Sequence, residues 1–461
     1  MILLLYFCDV FAIRHLLLCT TKQFTMKTNT LKCFVALLCS GLIFFSCKKD
    51  GGIFYQKGII TIENVLDSKP LVESGTFRGE GTPPVIFPGQ SVSFSFSAAK
   101  NQHVTFASMY GWSNDLFFAP ANPGIALYKD DGTAVTGDVS SQIKLWDNGT
   151  RVNQVPGKNV MHPGQAESSP KQIKEVKGMD DYGNAYLPAS SLMKVSLVYN
   201  GNSMFTLTIM NNSGGTANET PFSPGVWAIS YVAGGNALLA EPVFSEGALT
   251  ANGLTNIAES GDNSVLSNYL TDHTGIFTPL SPVLVVIYKG DENPIYKTGE
   301  KDRGEGLREL AQKGNAEVLA NSLKTKRGVK EVYILKEPAT TILLPRINNA
   351  AGGKVSQQIS IAQGEKIAIA TMYGFSNDWF FATKDDYMKA NMKEIRKGEL
   401  SSTIGLYDNG TAINQFPGAG VTQANLAGTP LQESIPIQPV TNPNEFTTLP
   451  DINKIIRVTL Q

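Results

Sequence analysis

The chain has 461 residues, enough for two or three ordinary domains, and its 42% hydrophobic and 17% charged content describes a globular body, not a disordered one. Lys plus Arg total 39 and Asp plus Glu total 40, a balance that gives no electrostatic reason to expect nucleic acid or an anionic membrane surface as partner. All five cysteines fall within the first 47 residues, which excludes an internal disulfide, a thiolate zinc site and a cysteine nucleophile from the body.

Residues 1–47 read as a leader whose effective start is Met26. Lys27 and Lys32 form a positive segment, Cys33 to Phe45 an apolar one too short for a good transmembrane helix, and Ser46-Cys47-Lys48-Lys49 resembles a bacterial lipoprotein cleavage box. Phe44 stands where such a box usually has Leu. Cleavage there would make Cys47 a lipidated N-terminus, anchoring the chain to a membrane as an envelope, outer-membrane lipoprotein on the periplasmic or the exposed face. A polar tether follows over residues 48–57.

From there the chain alternates short β-branched or aromatic runs with turn formers. "IITIENVL" comes first, then "QSVSFSFSA", "HVTFASMYG", "GIALYK", "SQIKLWD", "LMKVSLVY" and "FTLTIMNNS". Many short strands at this spacing predict an antiparallel sandwich. "TPFSPGVWAI" and "TPLSPVLVVI" each precede a helix-like stretch, making a duplicated strand-helix unit over residues 220–272 and 278–323. In the second, Leu307, Leu310, Ala311, Val318 and Leu319 recur at helical spacing, interrupted at Gly314-Asn315. The predicted fold is mainly β: tandem antiparallel β-sandwich modules with a few short helices between them, the first over residues 58–203 and a second, more complete one over residues 204–461.

Two motifs recur in order. "MYGWSNDLFFA" returns as "MYGFSNDWFFA", nine of eleven letters unchanged, and "LWDNGTRVNQVPG" returns as "LYDNGTAINQFPG". The separation is 32 positions from Asp115 to Asp147 and 30 from Asp378 to Asp408, so the domain is duplicated. Asp115 and Asp378 stand at strand ends, and Asp147 and Asp408 open Asp-Asn-Gly turns. In a single copy, a turn aspartate bonding its own backbone accounts for either. Recurrence together with Asn153 and Asn414 suggests instead an oxygen-rich cluster suited to Ca²⁺, which takes six to eight oxygens from flexible loops.

These strings, with "LTNIAESGDNSVLSNYL", resemble the spondin N-terminal domain over most of residues 57–461. That resemblance implies antiparallel β-sandwiches binding calcium in loops at one end, found in matrix adhesion proteins and bacterial envelope proteins. By matching, the metal-binding positions fall on Asp115, Asp147, Asp378 and Asp408. Animal members carry another acidic residue directly after the Gly-Thr, where this chain has Arg151 and Ala412. Asn153 and Asn414 are the nearest oxygen donors to compensate.

The implied function is non-enzymatic adhesion or ligand recognition at the cell surface. A glycan-binding alternative would use Tyr110, Trp112, Tyr373 and Trp379 as stacking platforms, although core or loop-anchoring roles suit these residues better. A hydrolase using the loop aspartates is the third reading. Against enzymes generally, His103, His162 and His273 lack zinc spacing, no G-x-S-x-G occurs, and "RGEGLREL" lacks a dinucleotide-binding context. The doublets Asp130-Asp131 and Asp180-Asp181 read as solvated turns.

Overall fold

Strands that alternate Ser with Phe or Val build the thinner sheet of the first sandwich. In β3 (Ser91–Ser97) and β11 (Met204–Asn211), Phe94, Phe96, Phe205, Leu207 and Ile209 face the core. On the opposite, exposed face, Ser93 and Ser95 bond Thr208 and Thr206 across the strands at 2.8 and 2.9 Å. The computed structural model describes residues 55–385 and 397–461, so the expected leader, Met26 and Cys47 lie outside the described residues.

The thin sheet runs β3-β11-β10-β7, with β10 at Met193–Gly201 and β7 at Gly137–Asp138. It packs on a larger sheet ordered β2 (Leu71–Phe77), β12 (Gly225–Ser230), β4 (His103–Met109), β5 (Leu116–Pro120), β8 (Ile143–Asp147) and β9 (Lys174–Glu175), with β6 (Ile125–Ala126) beside β4. The second sandwich repeats the plan. Its thin sheet is β17 (Lys354–Ala362), β1 (Tyr55–Asn64), β23 (Ile456–Leu460) and β20 (Gly398–Glu399). Its larger sheet is β16 (Val329–Leu335), β15 (Val283–Tyr288), β18 (Lys366–Met372), β19 (Trp379–Thr383), β21 (Ile404–Asp408) and β22 (Gln438–Pro439). A two-stranded hairpin, β13 (Val232–Ala233) with β14 (Asn236–Ala237), and a single-turn helix α1 (Ala189–Leu192) complete the fold.

Central strands such as β12, β15 and β19 are buried on both faces, because helices cover the outer side of each larger sheet. Leu254 and Ile257 of α2 (Leu254–Ser260) and Leu266 and Leu270 of α3 (Ser264–His273) pack with Ala107, Met109 and Phe117. Leu307 and Leu310 of α4 (Leu307–Lys313) and Leu319 and Leu323 of α5 (Glu317–Lys324) pack with Ala370, Met372 and Phe380. Val318, expected on that apolar face, is instead 46% exposed. One strand-helix unit therefore serves each sandwich. No helix among the described residues is long and apolar enough to cross a membrane.

Strand pairing relocates the expected module boundary. Residue 203 sits in the turn of the β10–β11 hairpin, and β11 joins β3 in the first sandwich. Conversely β1, expected to open the first module, pairs with β17 and β23 in the second. Tyr55, Gln56 and Lys57, expected in the tether, already belong to that strand. The first sandwich, residues 65–275, is thus inserted behind the opening strand of the second, and its ends meet where Leu71 bridges Thr274. β1 and β11 fill equivalent places. The fully buried Asn64 bonds the carbonyls of Thr278 and Leu343, and Asn211 those of Thr220 and Ile86.

Both sandwiches lie within one compact unit, Phe54–Gln461. Phe375, Phe416, Ala419 and Leu426 at one end of the second pack into Val72, Ala99 and Tyr231 of the first, with Phe277, just past its end, in the same cluster. Gln415 Nε2 donates to Asn202, the Val421 amide to Ser203 Oγ, and Gln102 Nε2 to the Gly418 carbonyl, at 2.9, 2.7 and 2.9 Å. Gly418 has φ +83°, and a Cβ there would stand 2.1 Å from the Tyr231 ring. Gly418→Ala is therefore expected to open this joint, costing about 2–4 kcal/mol in urea titration and exposing residues 413–428 to protease. An unchanged midpoint would mean the joint contributes little.

Candidate metal centre at the sandwich ends

Register brings the two motifs together. Leu116 pairs with Asp147 and Trp379 with Asp408, so Asp115 and Asp378 lie just past those pairs, against the Asp-Asn-Gly-Thr turns. In the first copy, Asp115 Oδ2 accepts from the Thr150 amide at 2.7 Å, Thr150 Oγ1 at 3.0 Å and the Arg151 amide at 2.8 Å. In the second, Asp378 Oδ2 accepts from the Thr411 amide at 2.6 Å, Thr411 Oγ1 at 2.9 Å and the Ala412 amide at 2.9 Å. Asp147 accepts from the Gly149 amide and Asn153 Nδ2 at 2.8 and 2.9 Å, and Asp408 from the Gly410 amide and Asn414 Nδ2, both at 2.7 Å. The six residues singled out in the sequence thus form two nests of three. The turn reading and the cluster reading both describe part of them: each aspartate does bond loop backbone.

Each nest leaves oxygens unused. Asp115 Oδ1, Asn148 Oδ1 and Asn153 Oδ1 are buried without a donor, as are Asp378 Oδ1 and Asn409 Oδ1. Burial, and then the neighbouring Asp147, pushes the Asp115 carboxyl up to about 7 against the pull of its donors. Burial, and then Asp408, does the same to Asp378, also to about 7. The Asp147 carboxyl is raised, chiefly by burial. Orphaned oxygens beside paired carboxylates are the donor type a hard cation takes, so the nests fit calcium in chemistry. Among the described residues, no cluster of three or more His, Cys, Asp or Glu side chains is placed to hold a metal ion. Amides, carbonyls and water would have to complete the shell.

Several participants were not foreseen. Asp180, expected in a solvated turn, is buried, accepting from the Tyr182 and Asn184 amides, Asn184 Nδ2 and Tyr186 Oη. Asn184 in turn bonds the Asn153 carbonyl, linking this loop to the first nest. Its neighbour Asp181 is a surface partner of Lys174, and Asp131 caps its own turn through the Thr133 amide. Asn114 and Asn377 fix the following loops through the Gln154 and Gln415 amides at 2.8 and 2.9 Å. Their recurrence inside the Ser-Asn-Asp string was the available signal. Arg151 Nη2 holds Glu259 of α2 at 2.7 Å, whereas Gln312 of α4 bonds Thr411 in the second copy.

Three of the four aromatic platforms are not on the surface. Tyr110, Tyr373 and Trp379 are buried, because each points into a sandwich core. Trp112 is partly buried, with the Lys158 ammonium 5.3 Å over its ring. Burial removes the geometric basis for glycan stacking by Tyr110, Tyr373 and Trp379, whereas Trp112 remains partly exposed. Neither a family model nor a curated protein matches the chain.

Proposed function

We infer that this chain is a non-enzymatic, calcium-binding lipoprotein of the cell envelope, anchored at Cys47, that recognises a protein ligand through loops at a sandwich end. The observation that carries the reading is the repeated nest: a buried aspartate with one oxygen saturated by three loop donors and the other left without any. Calcium there would neutralise the paired carboxylates and stiffen the loops they organise.

The free end of the first sandwich supports a recognition role. Val155 and Met161, in the loop after the first nest, are 76% and 64% exposed, while Phe416, at the place of Val155, is 9% exposed inside the joint. The same loop type already serves as a docking surface within this chain. Calcium titrated calorimetrically into the chelator-treated full chain is expected to give saturable heat that the Asp115→Ala/Asp378→Ala variant lacks. Absence of heat from a folded wild type would reduce the nests to turn-locking devices.

A further inference from the structure

The joint inside this chain is a one-way contact: the nest end of the second sandwich sits on the opposite end of the first, not on its matching surface. Each half of the contact therefore has a free counterpart. The loop from Gln415 to Thr422 recurs as Gln154 to Met161, and its inner bond is kept. The Met161 amide donates to Gln154 Oε1 at 3.1 Å, as the Thr422 amide does to Gln415 Oε1 at 2.8 Å. Gln415 Nε2 goes on to Asn202 across the joint, whereas Gln154 is exposed and its Nε2 has no partner among the described residues. Val155 stands exposed at the place of Phe416, Trp112 at that of Phe375, and Lys158 at that of Ala419.

The receiving end also recurs, with its chemistry altered. In the turn between β3 and β4 the Ala99 amide donates to Gln102 Oε1 at 2.7 Å, and between β17 and β18 the Ala362 amide donates to Glu365 Oε2 at 2.9 Å. The Tyr231 amide bonds the Pro70 carbonyl and the Lys289 amide that of Gly328, at 2.9 and 2.8 Å. By the same register Lys330 takes the place of Val72. Buried Tyr231 and Val72 thus give way to two exposed lysines, and Gln102, whose Nε2 reaches the Gly418 carbonyl, gives way to a carboxylate. Docked as in the joint, the free loop of one copy would set Lys158 against Lys289 and Lys330 of the next. Like charges facing one another across a contact oppose it and reject that partner.

We propose that the free end of the first sandwich docks onto the end of a β-sandwich in another protein, at a turn carrying a carboxylate, and that Lys289 and Lys330 keep neighbouring copies of this chain from occupying it. This rests on the recognition reading above and gives its partner a shape and a charge. Val155 and Met161 supply the apolar contact. The partner lays a flat side chain on Trp112, as Tyr231 lies on Phe375 with ring centroids 6.1 Å apart. Lys158 follows Gly157, the counterpart of the residue that Gln102 contacts, so a carboxylate at the place of Gln102 faces it. Its ammonium, 5.3 Å over the Trp112 ring in the free chain, moves off the ring to meet that carboxylate.

Rebuilding the receiving end within this chain supplies the probe. Lys289→Tyr/Lys330→Val copies the first sandwich's residues into the second and keeps Glu365 as the carboxylate. Both lysines are exposed, so an unchanged urea midpoint is expected and checks the fold. In sedimentation of the full chain up to about 1 mM, which reveals contacts with dissociation constants of that order, the wild type is expected to stay monomeric and the variant to associate head to tail. Adding Val155→Asp is expected to weaken the association about tenfold or more, and adding Glu365→Gln by up to about fivefold. A monomeric variant, or association indifferent to Val155→Asp, would overturn the docking surface and leave untouched the calcium titration that tests the reading beneath it. Indifference to Glu365→Gln would overturn the carboxylate, and a wild type that associates through Val155 would overturn the exclusion by lysine.

Discussion

Asp378→Ala is expected to destabilise the protein by about 3 kcal/mol at pH 5.5, and Asp378→Asn by less than about 1 kcal/mol. At that pH the wild-type carboxyl, raised to about 7, is protonated, so its burial penalty does not mask the lost bonds. Alanine strands three donors, the amides of Thr411 and Ala412 and the Thr411 hydroxyl, in a wholly buried site. Asparagine keeps an acceptor for them. The loop so released runs on to Phe416, Ala419 and Leu426, which fill the joint between the sandwiches. Asp115→Ala strands the same set of donors but frees a loop with no such packing duty, so about 2 kcal/mol is expected there. Urea midpoints, with protease cleavage within residues 413–428 as the local reporter, test both. Equal damage from alanine and asparagine would mean that charge, not the acceptor, holds the loop.

Much of this geometry was legible. The even strand alternation of "SVSFSFS" and "FTLTIMN" gave the sandwich class, and the repeated Asp spacing gave the nests, because strand pairing is local there: β5 lies directly beside β8, and β19 beside β21. What could not be read was long-range pairing. Nothing in "IITIENV" says that its partners are β17 and β23, with Ile60 opposite Gln357 and Leu460. The boundary near residue 203 was, by contrast, a readable error. "YNGNSMF" between two alternating runs is a hairpin signature, and Asn202 adopts φ +47° in that turn. Trp379 takes the core role that suits it best by sequence, because strand parity turns its ring inward against Tyr373. The Arg151–Glu259 pair lies beyond sequence reading altogether, since it joins a turn to a helix more than a hundred residues away.

Stability is expected to fall as pH rises from about 5 to 8 in the absence of calcium. Three carboxyls drive this. Glu73 on β2 is raised from 4.5 to about 7 by burial, against the pull of the Ser97 amide bonded to its Oε2 at 2.7 Å. Asp115 and Asp378 rise from 3.8 to about 7. A carboxyl whose pKa is higher folded than unfolded binds more protons in the folded state between those two values, so stability present at low pH is lost as pH climbs through the folded pKa. For Glu73 alone the loss is on the order of 3 kcal/mol, at 1.36 kcal/mol per pKa unit. Glu73→Gln keeps an acceptor for Ser97 and removes the charge. It is expected to raise stability at pH 8 by about 2 kcal/mol, to change little at pH 4.5, and to flatten the slope between. Calcium should flatten what remains from Asp115 and Asp378, because a bound cation favours the ionised carboxylate and restores stability at high pH. Denaturant midpoints across pH 4.5–8, with and without calcium, separate the contributions. A flat profile in chelator would mean that water reaches these carboxyls and keeps them ionised, and the closed, cation-dependent nest would then have to be abandoned.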